Sequence, residues 1–351
     1  MKKIVGVVFL LAVLAVGGFF GWRYWRIEQI RRFAETPISL AVPRTVDIAP
    51  GSGPRRVATL LGEAGVVSNA DRFFDFLRLE GLGPKLKAGE YEFKGELTPR
   101  AAAQKIVSGE VKVYRFTVPE GLRAEEILPI IAGSELKLSL EKLERLAADP
   151  GFLKKLGVPA DRIEGFLFPE TYTFTRGATE EAVLTRMVQQ AFSAYRAADL
   201  QRKAGVTLSM LDAFTLASIV EKETGAAEER PRISCVFHNR LKTGMPLQTD
   251  PTVLYAMSLL RGSWVNNITH RDLETAHPYN TYTTKGLPPG PIANPGAQSL
   301  AAALNPARCE DLYFVSRNDG THVFCGDLKC HTAAVEKWQR EFFRKKRNDG
   351  G

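Results

Sequence analysis

Two acids separated by one lysine, Glu221 and Glu223, end a stretch in which Ala213, Leu216, Ala217 and Val220 recur at three- to four-residue steps. This is the spacing of one helix face. Ser209 can cap such a helix and Gly225 can stop it. Glu223 continues the apolar stripe beyond Leu216 and Val220, whereas Glu221 points to nearly the opposite side. A carboxyl group on an apolar face, at the negative end of a helix dipole, holds its proton to higher pH than a solvated one. A general acid needs that state near neutrality. A salt bridge from Glu223 to Arg240 or Lys222 would make the same residue purely structural, and the spacing leaves both readings open.

Polar loops follow. Gln248-Thr249-Asp250-Pro251-Thr252 and Tyr255 come first, then Tyr279-Asn280-Thr281-Tyr282, then a stiff run from Gly286 to Pro295 with four further prolines between and at its end. Prolines fix the backbone, so such loops can hold hydroxyls and amides against a sugar. Glu164-Gly165-Phe166-Leu167-Phe168-Pro169-Glu170-Thr171-Tyr172 reads first as a buried structural turn, but aromatics beside carboxylates also line sugar-binding clefts, which keeps Glu170 as a secondary, substrate-binding candidate. Cys309, Cys325 and Cys330 cluster near the end, and Cys235 stands apart on the apolar side of an expected helix over 228–242. Their spacing lacks the close Cys-x-x-Cys pair of common zinc sites, so a disulfide is the simpler reading. An expected hairpin, Leu312 to Val315 and His322 to Cys325 around Asn318-Asp319-Gly320, carries Cys309 toward Cys330. Cys325 to Cys330 is the rival pairing.

The elements that must position these residues suit an α+β protein. An uncharged run, Ile4 to Phe20, is followed by Trp22, Tyr24 and Trp25, close to the roughly 20 residues that cross a bilayer. No small-residue cleavage site follows, so 1–26 reads as a transmembrane anchor, not a removed signal. Residues 27–44 read as a linker and 45–133 as a first α+β region with the order strand, helix, helix, strand, and no nucleophile or phosphate loop. The chemistry falls in 134–347, with a tail at 348–351. The net charge of +8 is spread among acids without an aromatic-interleaved basic helix, which argues against nucleic acid. The basic clusters, Arg23 to Arg32 and Arg344 to Arg347, read as solvated or lipid-facing ends.

The ordered set Ser218-Ile219-Val220-Glu221-Lys222-Glu223-Thr224, Val236-Phe237-His238-Asn239-Arg240-Leu241, Leu247-Gln248-Thr249-Asp250-Pro251-Thr252-Val253, Tyr279-Asn280-Thr281-Tyr282 and Gly286-Leu287-Pro288-Pro289 resembles the YceG-like (MltG) endolytic murein transglycosylases. The likeness spans nearly the whole chain, including a region around Lys87-Ala88-Gly89-Glu90-Tyr91 similar to the family's LysM-like module. The resemblance implies a lyase that cuts the MurNAc-GlcNAc β-1,4 bond of peptidoglycan and leaves 1,6-anhydro ends. It implies a helix-borne catalytic glutamate in a mixed α+β catalytic domain, Glu223, and no cofactor or metal. Asn239, Arg240, Gln248, Asp250, Thr252, Asn280, Thr281 and Tyr282 on these motifs, and Tyr255 just beyond them, are substrate-binding candidates. It further implies a single-pass inner-membrane protein with its body outside the cytoplasm, acting on nascent strands, with peptidoglycan synthases as candidate partners. The clustered cysteines lie outside the shared pattern. A hydrolytic muramidase using Glu170 or Asp250 as second acid, and a non-catalytic wall-binding scaffold, are the alternatives.

Overall fold

The computed structural model describes residues 2–342 and 344. The basic residues at 345–347 and the expected tail at 348–351 lie outside the described residues. The chain divides into two compact units, Met1–Tyr114 with Thr173–Gly177, and Arg115–Tyr172 with Ala178–Gly351. Residues 115–133, read from sequence with the first region, therefore pack in the second unit.

The first unit opens with α1 (Lys2–Glu35), then β1 (Ile38–Ile48), α2 (Pro54–Glu63), α3 (Ala70–Leu79), β2 (Gly89–Leu97) and α4 (Pro99–Ser108). Local chemistry sets the helix starts: the Asn69 side chain accepts from Arg72 N–H at the head of α3, Thr98 from Ala101 N–H at the head of α4, and both α2 and α4 begin on a proline. β1 and β2 pair antiparallel from Ile38↔Leu97 to Ile48↔Gly89, with a register shift between Leu40 and Arg44. Val46, Ile48, Tyr91 and Phe93 face a core closed by Val57, Leu61, Phe73, Phe76 and Ile106. Phe33 and Ala34, from the end of α1, are buried in that same core. The expected linker at 27–44 is thus the end of a helix and the start of a strand. Apolar residues every three to four positions let α1 continue past the aromatics and dock. From Ile4 onward α1 is long and apolar enough to cross a membrane, and its apolar length is exposed.

β3 (Val113–Thr117) pairs with β4 (Thr171–Thr175). The second unit holds α5 (Ala124–Ala132), α6 (Leu140–Ala147), α7 (Pro150–Leu156), α8 (Glu180–Asp199), α9 (Met210–Glu223), α10 (Arg230–Thr243), α11 (Asp250–Arg261), α12 (His270–Glu274) and α13 (Ala297–Leu304). The antiparallel hairpin β5 (Tyr313–Ser316) and β6 (His322–Cys325) and the helix α14 (Leu328–Val335) follow. α9 is the hub, packed on α10, α11 and α13. Every residue from Ala213 to Val220 is buried, so the apolar surface wraps the helix instead of forming the narrow stripe read from sequence. Phe214 stacks at 4.6 Å on Phe166 and at 6.0 Å on Tyr195.

The expected Cys309–Cys330 pairing needs correction, whereas its rival, Cys325–Cys330, is formed. Cys309 bonds to Cys235, and Cys330 to Cys325, with Cα–Cα separations of 6.2 and 5.6 Å. Tyr313 pairs with Cys325 in the hairpin, but Asp327 then caps α14 by accepting from Cys330 N–H, and this turns Cys330 back toward Cys325. Cys309 lies before the strand, in a segment tied to the head of α10 by the Ala307 N–H to Pro231 carbonyl bond, where Cys235 meets it. The hairpin itself lies where its turn residues place it.

Candidate active site

α9 begins with a capping box: Ser209 accepts from Asp212 N–H, and Asp212 accepts from Ser209 N–H. It ends at Glu223. Thr224 turns extended, at φ −143°, and its hydroxyl accepts from Ala226 N–H, so Thr224 stops the helix and Gly225 needs no left-handed turn. The two acids then meet different neighbours. Glu221, 5% exposed, accepts from the Arg230 guanidinium at 3.0 Å and from Gly296 N–H at 2.9 Å. The sequence placed it away from the buried face, but the surrounding elements bury most of its side chain.

Glu223 makes no ion pair among the described residues. Lys222 donates instead to the Gly121 carbonyl, and Arg240 to the carbonyls of Leu247 and Leu312, at 2.5 and 2.7 Å. Neither of the two salt bridges that the spacing of Glu223 allowed is formed among the described residues. Burial pushes its carboxyl up to about 7, and the negative charge of Asp250 adds to the rise. The Thr249 hydroxyl and the more distant Arg240 charge pull the other way without cancelling it. Thr249 itself is buried, and its hydroxyl finds no partner of ordinary hydrogen-bond geometry among the described residues. Sequence reasoning passed over Thr249, although it lies between two chosen residues. Its role depends on which way the loop presents it.

That loop is tightly held. Gln248 and Thr249 N–H donate to the carbonyl and hydroxyl of Thr281, at 3.1 and 3.0 Å, and the Thr252 and Thr281 hydroxyls meet at 2.8 Å. Asn280 donates to the carbonyls of Asp272, Leu273 and Thr275 and accepts from Tyr282 N–H. Thr252, Asn280 and Thr281 are buried, with their side chains hydrogen-bonded within these loops. Gln248, exposed, takes φ +48°, a conformation costly for a side chain larger than glycine and a mark of functional loops. Asp250 opens α11 and accepts from the Tyr282 hydroxyl at 2.7 Å, which brings both beside Glu223.

Other candidates lie elsewhere. Asn239 donates to the carbonyls of Cys309 and Asp311, on the disulfide side of α10. Glu170 is exposed beside β4, its carboxylate turned to Thr171 N–H. Tyr255 packs its ring against that of Tyr279, tilted by 52° at 4.9 Å, and lines a separate cavity with Glu164. Glu164 was not singled out from sequence. Its carboxyl, buried and also held up at about 7, accepts from Ala124 N–H at 3.0 and 3.2 Å and from Asn294 at 2.8 Å. Asn294 in turn accepts from Leu167 N–H, which locks the proline-rich loop to the 164–168 turn. One available signal was Gly165, at φ +88°, where a Cβ would collide with Pro291.

Residues 46–337 match the model of the YceG-like family. The chain belongs to the YceG-like family. A relative from Bacillus subtilis (strain 168), named endolytic murein transglycosylase, is 33% identical over 341 residues, which cover 93% of this chain and 91% of that protein. One of the same name from Streptococcus pneumoniae (strain D39) is 28% identical over 89% of this chain, which spans only 60% of that longer protein. The crystal structure of a yceG-like protein from Listeria monocytogenes is similar with a TM-score of 0.56 and 32% identity, over 83% of this chain and 98% of that one. This YceG-like chain is thus matched over both units.

Proposed function

We propose that this chain is an endolytic peptidoglycan lytic transglycosylase with Glu223 as its one general acid/base. The observation that carries this reading is a carboxyl that burial pushes up to about 7 and that forms no ion pair among the described residues, beside a hydrogen-bonded polar loop. Near neutrality much of Glu223 keeps its proton, which it gives to the glycosidic oxygen as the MurNAc C1–O bond breaks. The C6 hydroxyl oxygen of the same sugar closes on C1, and its proton passes to the Glu223 carboxylate. The 1,6-anhydro ring forms, no water is consumed and the acid is restored. A nucleophile inside the substrate removes the need for the second carboxylate that paired-acid glycosidases use.

The first unit serves as a LysM-like module, and α1 anchors the chain in the cytoplasmic membrane with both units outside the cytoplasm. There it would meet nascent strands and their synthases, and cleavage would end strand growth. Asp250 beside Glu223 favours a hydrolytic muramidase as the second reading. Incubation with uncrosslinked glycan and mass analysis of the product ends tests both: anhydro ends support the lyase, reducing ends the hydrolase, and absence of cleavage a scaffold.

A further inference from the structure

A cavity of 630 Å³ lies between α5, the 161–164 turn and α11, within the volume range of ligand sites. Its floor is settled: Glu164 is fully hydrogen-bonded, and Arg123 is paired with Glu125 and Glu126 beneath the Trp264 ring, 3.7 Å from its centroid. Its walls are not. Tyr255 is only 6% exposed, yet its hydroxyl has no hydrogen-bond partner among the described residues. Glu164, Arg162 and Arg123, all of them lining the cavity, act electrostatically on that hydroxyl. Glu144, Asp161 and Arg162 line the same space without an ion pair among the described residues. The unpaired groups thus carry both signs of charge.

α11 connects this cavity to Glu223. Asp250 stands at the glutamate, and Tyr255 comes five residues later, a rise of about 7.5 Å along the helix. The loop after α12 repeats the relation, with Tyr282 on Asp250 and Tyr279 on Tyr255. A sugar ring has no charge to offer the free groups. The peptide stem of a muramic acid has carboxylates and an ammonium group, and three extended residues span about 10 Å. We propose that this cavity is a subsite for the peptide stem carried by the muramic acid next to the scissile bond, a proposal that rests on the peptidoglycan reading above.

The test uses the full chain in detergent, with a synthetic stem pentapeptide as one probe and uncrosslinked strands, stem-bearing or stripped by an amidase, as the others. Calorimetry should show the free pentapeptide binding to wild type and to Glu223→Gln alike. Arg162→Ala should weaken that binding about tenfold and Tyr255→Phe about fivefold, as loss of a charged and of a neutral hydrogen bond. The preference in kcat/KM for stem-bearing over stripped strands should fall by the same factors. Failure of wild type to bind the pentapeptide, or variants that lose equally on both strands, would overturn the stem subsite, the latter in favour of a sugar. Pentapeptide binding that Arg162→Ala weakens, in a wild type that cuts no strand, would uphold the cavity and sink the Glu223 reading instead.

Discussion

Glu223 and Glu221 differ less in sequence position than in what the fold brings to them. Glu223→Gln removes the transferable proton while keeping the size of the side chain, and cleavage should fall by at least ~10²–10⁴-fold in a strand-release assay. A carboxyl raised to about 7 leaves the folded state holding more protons than the unfolded state between the ordinary carboxylate range and pH 7. Stability should therefore decline as pH rises through that window, and Glu223→Gln should flatten part of the decline in thermal melts. Activity should fall on the alkaline side of pH 7, since the acid form does the work. Glu221→Gln should behave in the opposite way. It removes the nearer of two carboxylates from a buried guanidinium whose Nε lacks a partner among the described residues, and because Glu120 remains at 3.8 Å the loss should stay below the roughly 3–5 kcal/mol of a wholly unpaired buried charge. Well below the melting temperature its cleavage rate should stay within a few fold of wild type. A Glu221 variant as inactive as the Glu223 one while still folded would place the acid wrongly.

Between residue and unit, the site depends on three short connections tied together. Arg240 on α10 holds the Leu247 carbonyl and the Leu312 carbonyl, so one side chain joins the site loop to the hairpin. The Cys235–Cys309 bond staples the same helix to the segment before that hairpin, across 74 residues. On the chain-entropy account its removal should cost about 4 kcal/mol, against about 2 kcal/mol for the five-residue Cys325–Cys330 link. Serine pairs at each site, compared by denaturant unfolding, would check the order. Thiol labelling of unreduced, denatured protein should find all four cysteines blocked. Labelling confined to Cys235 and Cys325 would restore the Cys309 to Cys330 pairing expected from the hairpin alone.

The N-terminal helix bears on how the chain is divided. Because Phe33 and Ala34 belong to the core of the first unit, a cut placed before residue 27 differs from one placed after residue 35. Removing 1–26 takes away the apolar length and one exposed ion pair, Arg26 to Asp75, worth at most about 1 kcal/mol. That truncation should stay folded, dissolve without detergent and cleave glycan. Phe33→Ala in the same background should lower stability by about 3–5 kcal/mol, the range for emptying a buried phenylalanine site. Calorimetric melts of the two proteins would test this, and equal melting temperatures would mean that the end of α1 is only a tether.

Local rules made much of this chain legible without coordinates. Capping by Ser209, the periodicity that runs into Glu223, the Asn318 to Gly320 turn and the apolar length of α1 are decided by residues a few positions apart. The order strand, helix, helix, strand of the first unit was legible for the same reason. What needed the tertiary structure were contacts across long separations. Asn294 meets Glu164 130 residues away, Arg230 meets Gln298 across 68, and Cys235 finds Cys309 across 74. Sequence grouped Thr252, Asn280 and Thr281 with substrate ligands because they are polar and share loops with Asp250 and Tyr282. Only packing shows that their hydrogen bonds are used up within the protein. The same holds for the acids: a helical wheel gives the direction of a side chain from its own axis, but the partner that keeps Glu221 paired and the burial that raises the Glu223 carboxyl come from other elements.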